Sequence, residues 1–401
     1  MTRVELPEAL ASKFGAYCLG GAPPSMELRL ADDSSPNNDK WVLFLEGGGW
    51  CYGATEEATI AACKGRARFH GEKEQDETPD YGGVMSSNST TNPDFFNWNS
   101  AFLHYCDGTS FASSRSDPIE SLDADNNTAL MYMRGRNIFD ADINFLQTEQ
   151  GMEFATEIIL TGGSAGGLAV FFNIDHLAEE LVDPSVRVTG FPDAGFFMDD
   201  QEHYAINFQG ADPVWNVTGS GSTDQDCLAQ YGKDEQWKCL LSPFLTEHIK
   251  TDLYVINSAF DAWQLTNNAV GCFHVDGGDD CEDDSDVQNY GIALRERLVD
   301  GFSRKPASRN GAFIDSCYVH EQNVNYCFDQ DVPNCVGWDP RETGSIKWGY
   351  TTSVNGLSPQ QAFSLYYNRA HGDGNSAEDM VIDTAKMQEN LSCKYIGVPP
   401  V

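Results

Sequence analysis

The feature that most restricts this chain is Gly162-Gly-Ser-Ala-Gly-Gly167. It lies between the apolar run Glu157-Ile-Ile-Leu-Thr161 and a segment in which Leu168, Val170, Phe171, Ile174 and Leu177 can share one helical face. Gly162, Ser164 and Gly166 form a G-x-S-x-G. Between a strand and a helix, this pattern forces the serine backbone into a strained turn that only small neighbours permit. The helix N-terminus then lies beneath the hydroxyl, where its dipole favours developing negative charge. A glycine-rich phosphate loop would share the outline, but the Lys of a P-loop is absent. Ser164 is therefore the candidate nucleophile.

Four further apolar runs, Trp41–Leu45, Ala101–Tyr105, Val186–Thr189 and Leu253–Ile256, read as strands between longer helix-like stretches. That alternation predicts an α/β fold with a mostly parallel central sheet flanked by helices. A length of 401 residues allows one large domain or two ordinary ones. No repeat or long linker divides the chain, so a single domain over 1–401 is expected, with long polar insertions at about 64–98 and 208–240.

Composition excludes several partners. A 41% hydrophobic and 21% charged chain can bury a core, whereas 25 basic against 61 acidic residues leave a net charge of −36. Such a field repels nucleic acid and anionic membranes, and a solvated acidic surface explains it without a cation-binding role. No apolar run approaches the length of a membrane span. The start, MTRVELPEALASKFG, lacks the apolar stretch of a signal peptide, so a removed leader with Met1 as an added initiator is expected. Twelve cysteines without zinc-ribbon spacing read as disulfides. Sequons at Asn88, Asn126, Asn216 and Asn390 add support for secretion. The acidic loop 276–286 lacks the EF-hand order and reads as solvated rather than calcium-binding.

A second glycine motif, Leu45-Glu-Gly-Gly-Gly-Trp-Cys51, follows the strand at 41–45. Acyl transfer creates an oxyanion that needs preorganised donors, and consecutive glycines can turn backbone N–H groups toward it. With the residue after the nucleophile, the donors would be Gly48 or Gly49 and Ala165. The base and its orienting acid should follow the serine. His248, His274, His320 and His371 all qualify by position, with His320 favoured beside Cys317 and the run Ala312-Phe-Ile314. Asp261, after the strand at 253–256, and Asp193, after Gly190-Phe-Pro192, compete for the acid. Spacing leaves both choices open.

Cys18-Leu-Gly-Gly-Ala-Pro-Pro24, Leu45–Cys51, Asn92-Pro-Asp-Phe-Phe-Asn-Trp-Asn99, Tyr105-Cys-Asp-Gly-Thr-Ser-Phe111, Gly162–Gly167, Asp193-Ala-Gly-Phe-Phe197, Asn257-Ser-Ala-Phe-Asp-Ala-Trp-Gln264 and Ser316-Cys-Tyr-Val-His320 run in one order along nearly the whole chain. In these stretches the chain resembles the pectin acetylesterase and Notum carboxylesterase family, which implies an α/β-hydrolase-like, disulfide-stapled fold. The resemblance implies Ser164, Asp261 and His320 as a triad. It leaves Asp193 as a structural or pocket-lining residue and Trp50 as a wall of the acyl pocket. It also implies Cys18–Cys106, Cys51–Cys63, Cys317–Cys393 and Cys327–Cys335 bridges, with Cys227–Cys239 and Cys272–Cys281 as further pairs. A zinc site on Cys317, His320 and Cys327 lacks a fourth ligand. Two departures stand out: Gly20 where plant members carry Asp, and Glu321 where they carry Cys after the histidine. Glu321 is expected to raise the pKa of the base or reshape the pocket.

The expectation is thus a secreted, monomeric serine carboxylesterase without metal or organic cofactor. It would hydrolyse acyl esters, above all O-acetyl groups, on a polysaccharide or other substrate. A Notum-like deacylase for longer chains and a non-catalytic glycan-binding protein of the same fold are the alternatives.

Overall fold

The computed structural model describes residues 1–70, 80–122, 128–198, 204–267, 285–305, 309–323, 326–327, 353–369, 377–387 and 389–395. Nine strands make the main sheet: β1 (Thr2–Glu5), β2 (Ser25–Arg29), β3 (Lys40–Leu45), β4 (Asn99–Leu103), β5 (Glu157–Gly163), β6 (Arg187–Asp193), β7 (Asp252–Asp261), β8 (Asn310–Val319) and β9 (Met380–Ile382). Their order is β1-β2-β4-β3-β5-β6-β7-β8-β9. Pairing is antiparallel from β1 through β2 to β4 and parallel from β4 to β9. This is the expected mostly parallel sheet, and its carboxyl ends lie along one edge.

The parallel strands are nearly continuous apolar runs because both faces are covered. In β3, Trp41, Leu43 and Leu45 enter one core with Ile138 and Phe139 of α2 (Gly135–Gln150), Leu168 and Val170 of α3 (Ala165–His176), and Leu294 and Leu298 of α5 (Ser285–Arg304). Val42 and Phe44 enter the opposite core with Phe363 and Tyr366 of α6 (Pro359–Asn368). The alternation is the two-residue period of a strand sandwiched between helix layers.

The structure adds detail to two expectations. The run at 253–256 continues to Asp261 because polar residues beyond it are buried and bonded: Asn257 accepts the Phe196 N–H at 3.2 Å, and the Ser258 hydroxyl donates to the Cys317 carbonyl. Much of the polar insertion expected at about 208–240 is helical, beginning with α4 (Tyr204–Trp215). Part of the first stretch is likewise the end of α1 (Glu56–His70).

Four disulfides close as expected: Cys18–Cys106, Cys51–Cys63, Cys227–Cys239 and Cys317–Cys393. The expected Cys327–Cys335 and Cys272–Cys281 bridges and the loop 276–284 lie outside the described residues, as does Asn126. Of the other sequons, Asn88 is exposed. Asn216 and Asn390 use their amide nitrogens inside the fold, on Ser114 at 3.4 Å and on Ser353 and Asp383 at 3.0 and 2.8 Å. No helix among the described residues is long and apolar enough to cross a membrane.

Buried carboxyls make stability depend on pH. Burial raises the Asp315 pKa from its ordinary 3.8 to about 7, against the lowering effect of the Cys317 N–H it accepts. The folded state then holds a proton that the unfolded chain has released, so stability falls as pH rises from about 4 to about 7. Asp142, fully buried on α2 with neither oxygen bonded among the described residues, shifts the same way. Thermal melts should show Asp315→Asn losing less stability than the parent between pH of about 4.5 and about 7. Identical slopes would contradict the assignment.

Candidate active site

Each candidate residue hangs from a strand's carboxyl end: the glycine loop follows β3, Ser164 follows β5, Asp193 ends β6, Asp261 ends β7 and His320 follows β8. Ser164 turns sharply between β5 and α3, with φ 55° and ψ −121°, a left-handed conformation that side chains rarely adopt. The glycines around it are steric necessities. A Cβ on Gly162 would lie 2.5 Å from the Gly166 carbonyl oxygen, and one on Gly166 would run into Leu45 O.

His320 Nδ1 is 2.9 Å from both carboxylate oxygens of Asp261. Asp261 is fully buried, and its Oδ1 also accepts the Gln264 N–H at 2.9 Å, which fixes the carboxylate. An Nδ1–H donated to that carboxylate leaves Nε2 as the basic nitrogen of the ring. Trp263 stacks on the imidazole with centroids 6.0 Å apart. The structure thus pairs His320 with Asp261 rather than Asp193. His248 sits at the amino end of β7, across the sheet from Ser164. His274 and His371 lie outside the described residues. Cys317 is bonded to Cys393, so the zinc alternative loses a ligand.

Asp193, expected as structural or pocket-lining, is fully buried and does the first. Its main-chain oxygen accepts the Ser164 N–H at 2.9 Å. Its carboxylate accepts the N–H groups of Gln322 and Asn323 at 2.5 and 2.6 Å. One residue therefore couples the elbow to the loop carrying His320. Burial pushes its carboxyl well above the usual range, and the charge of Glu321 adds to this. Neither spacing nor motif foretold this link. Glu321 itself lies against the elbow: a Cβ on Gly163 would stand 2.7 Å from its Oε1.

The glycine loop is anchored at both ends. Glu46 Oε2 accepts the Tyr105 N–H at 2.7 Å, and the Cys51–Cys63 disulfide ties the far end to α1. Between them Gly48 and Gly49 take φ 127° and 68°, open to glycine and strained for other residues. The position of a Cβ on Gly47 would be 3.1 Å from Ser164 Cβ, so the loop abuts the elbow. Trp50 is nearly buried and donates Nε1–H to Ser110 Oγ at 2.6 Å, which donates to the Ala165 carbonyl at 2.6 Å. Around its ring stand Phe197 at 4.7 Å, Phe208 at 5.3 Å, Tyr52 and Trp263 at 5.7 Å and Tyr204 at 6.1 Å. At the opposite, amino end of the sheet, a cavity of 380 Å³ is lined by Lys40, Glu157, Arg187 and Tyr367. Glu157 ties those groups together, meeting Lys40 at 2.7 Å, Arg187 at 3.4 Å and the Tyr367 hydroxyl at 2.5 Å.

A serine on a strand-to-helix elbow, with a His–Asp pair at the same edge of a parallel sheet, is the layout of the α/β-hydrolase class. Sequence comparison narrows the class. The pectinacetylesterase family model matches residues 6–339, so the chain belongs to that family and is a carboxylic ester hydrolase. Pectin acetylesterase 5 of Arabidopsis thaliana is 30% identical over 345 residues, covering 79% of this chain and 73% of the relative. The palmitoleoyl-protein carboxylesterase NOTUM of Mus musculus is 29% identical over 322 residues, covering 76% of this chain but only 58% of the relative. The structure of the Wnt deacylase Notum from Drosophila shares the fold, with a TM-score of 0.73 at 22% identity over 98% of this chain and 99% of that one.

Proposed function

We propose that the protein is a secreted serine esterase that removes short acyl groups, chiefly O-acetyl, using Ser164, His320 and Asp261. The observation that carries this reading is the His320–Asp261 pair on a loop that Asp193 ties to the backbone of Ser164. His320 Nε2 takes the proton from Ser164 Oγ, which attacks the ester carbonyl, while Asp261 holds the tautomer and stabilises the imidazolium. The oxyanion meets the N–H groups of Ala165 and of Gly48 or Gly49. His320 then protonates the leaving alcohol, and water cleaves the acyl-enzyme by the reverse sequence of proton transfers.

Two physical arguments narrow the substrate. The rings packed round Trp50, with Phe197, Tyr204 and Phe208 fully buried, make a dense aromatic wall beside the glycine loop, which favours a short acyl group over a long one. A chain of charge −36 meets a bare polyuronate at a cost, so neutral or heavily acylated glycans fit better. The relatives' names span both an acetylesterase and a palmitoleoyl carboxylesterase, so acyl length is the quantity to measure. With p-nitrophenyl esters, kcat/KM should fall at least about tenfold from acetate to octanoate. A maximum at octanoate or longer would replace this reading with a long-chain deacylase, and inertness toward every ester would favour a glycan-binding protein.

A further inference from the structure

Arg66 is a cation in an unusual position. It lies one turn beyond Cys63 on α1, the helix that the Cys51–Cys63 disulfide staples to the glycine loop. Its Nη1 donates to the Gly48 carbonyl at 2.8 Å, and its guanidinium covers the Tyr105 ring at 4.7 Å. Nε and Nη2 are enclosed and meet no hydrogen-bond acceptor among the described residues. Asp107, which feels the Arg66 charge, is fully buried; its Oδ2 accepts the N–H groups of Thr109 and Phe111 at 2.9 and 3.1 Å, and its Oδ1 meets no hydrogen-bond donor among the described residues. In a chain with 61 acidic residues, a guanidinium with two enclosed donor nitrogens that meet no acceptor among the described residues asks for an explanation.

The peptide geometry supplies one. In a trans peptide the C=O and the following N–H point in opposite directions, so holding Gly48 O toward Arg66 aims the Gly49 N–H away from α1. Tyr105 extends the arrangement, since its hydroxyl accepts the Ser110 N–H at 2.9 Å and Ser110 grips both Trp50 and the Ala165 carbonyl. Resting on the esterase reading above, we propose that Arg66 is a positioning residue for the oxyanion hole. It fixes the Gly48–Gly49 peptide in its donating orientation, and its charge favours the anion from behind that peptide.

The test compares Arg66→Met and Arg66→Lys with the parent, using p-nitrophenyl acetate turnover and inhibition by phenylboronic acid, whose serine adduct is a tetrahedral anion. Arg66→Met should lower kcat about 10- to 100-fold with KM within about twofold, and weaken the boronic acid by a similar factor. Arg66→Lys should lose less, and added guanidinium should return part of the kcat of Arg66→Ala. Should Arg66→Met fail to fold, Arg66→Ala, which also removes both the donor to Gly48 O and the charge, gives the same comparison. An unchanged kcat, or a loss confined to KM and melting temperature, overturns the role of Arg66 alone. A parent enzyme inert to the ester, or a Ser164→Ala variant as active as the parent, sinks the esterase reading instead.

Discussion

Ser164→Ala is expected to lower kcat/KM for p-nitrophenyl acetate by at least about 10⁴-fold while leaving the melting temperature within about 2 °C of the parent. The rate loss follows from removing the atom that forms the acyl bond. The intact fold follows from how the elbow is held. Its constraints are main-chain: Ser164 N–H to Asp193 O at 2.9 Å, the Leu168 N–H to Ser164 O at 2.9 Å, and glycines that leave no room for a Cβ. Alanine keeps all of them and has the same Cβ to place at φ 55°. Rates and thermal melts on one preparation decide the matter, and more than about 1% residual turnover would remove Ser164 from the chemistry.

Asp261→Asn should cost about 10³- to 10⁴-fold in kcat, the second largest effect. The wild-type carboxylate accepts Nδ1–H, whereas an asparagine amide can present N–H groups to Nδ1 and stabilise the opposite tautomer. That tautomer carries its proton on Nε2 and cannot take one from serine. An asparagine oxygen can still accept the Gln264 N–H, so the strand end should stay in place. Stopped-flow acylation rates beside circular dichroism would test this, and a loss below about tenfold would leave Asp261 a merely structural partner.

The parts that the sequence disclosed best are those in which neighbours along the chain are neighbours in space. Strand, elbow and helix at 157–177 form one contiguous pattern, so Ser164 could be read directly, as could the glycine loop after its strand. The base could not. Four histidines lie well downstream of the serine, and only a family resemblance selected His320. The strand that delivers it is interrupted in pattern by Asp315 and Ser316, which are buried and hydrogen-bonded rather than solvated. Composition marked 208–240 as a polar, glycine-rich insertion and did not disclose its helices. Gly210 lies inside α4 because that helix packs against the backbone of Gly53 and Ala54, leaving no space for a Cβ. The particular links made by Asp193 and Arg66 had no sequence signal, although the resemblance marked Asp193 as structural or pocket-lining. Each acts on main-chain groups far away along the chain, 129 residues for Asp193 to Gln322 and 18 for Arg66 to Gly48, and backbone acceptors and donors carry no residue signature.

β3, β5, β6, β7 and β8 are consecutive in the sheet, and each ends in one piece of the site. The sheet therefore acts as a ruler. Its graduations are the strand spacing of about 4.8 Å, so the strands that lead into Ser164 and His320 lie about 14 Å apart, with Asp193 and Asp261 ending the two strands between them. Such a frame separates tolerances. Shifting one strand by a single residue would misalign every graduation beyond it, while the connections between strands can lengthen or change composition without moving the scale. Substrate range in this architecture is consequently free to drift in the loops above an edge whose chemistry stays put.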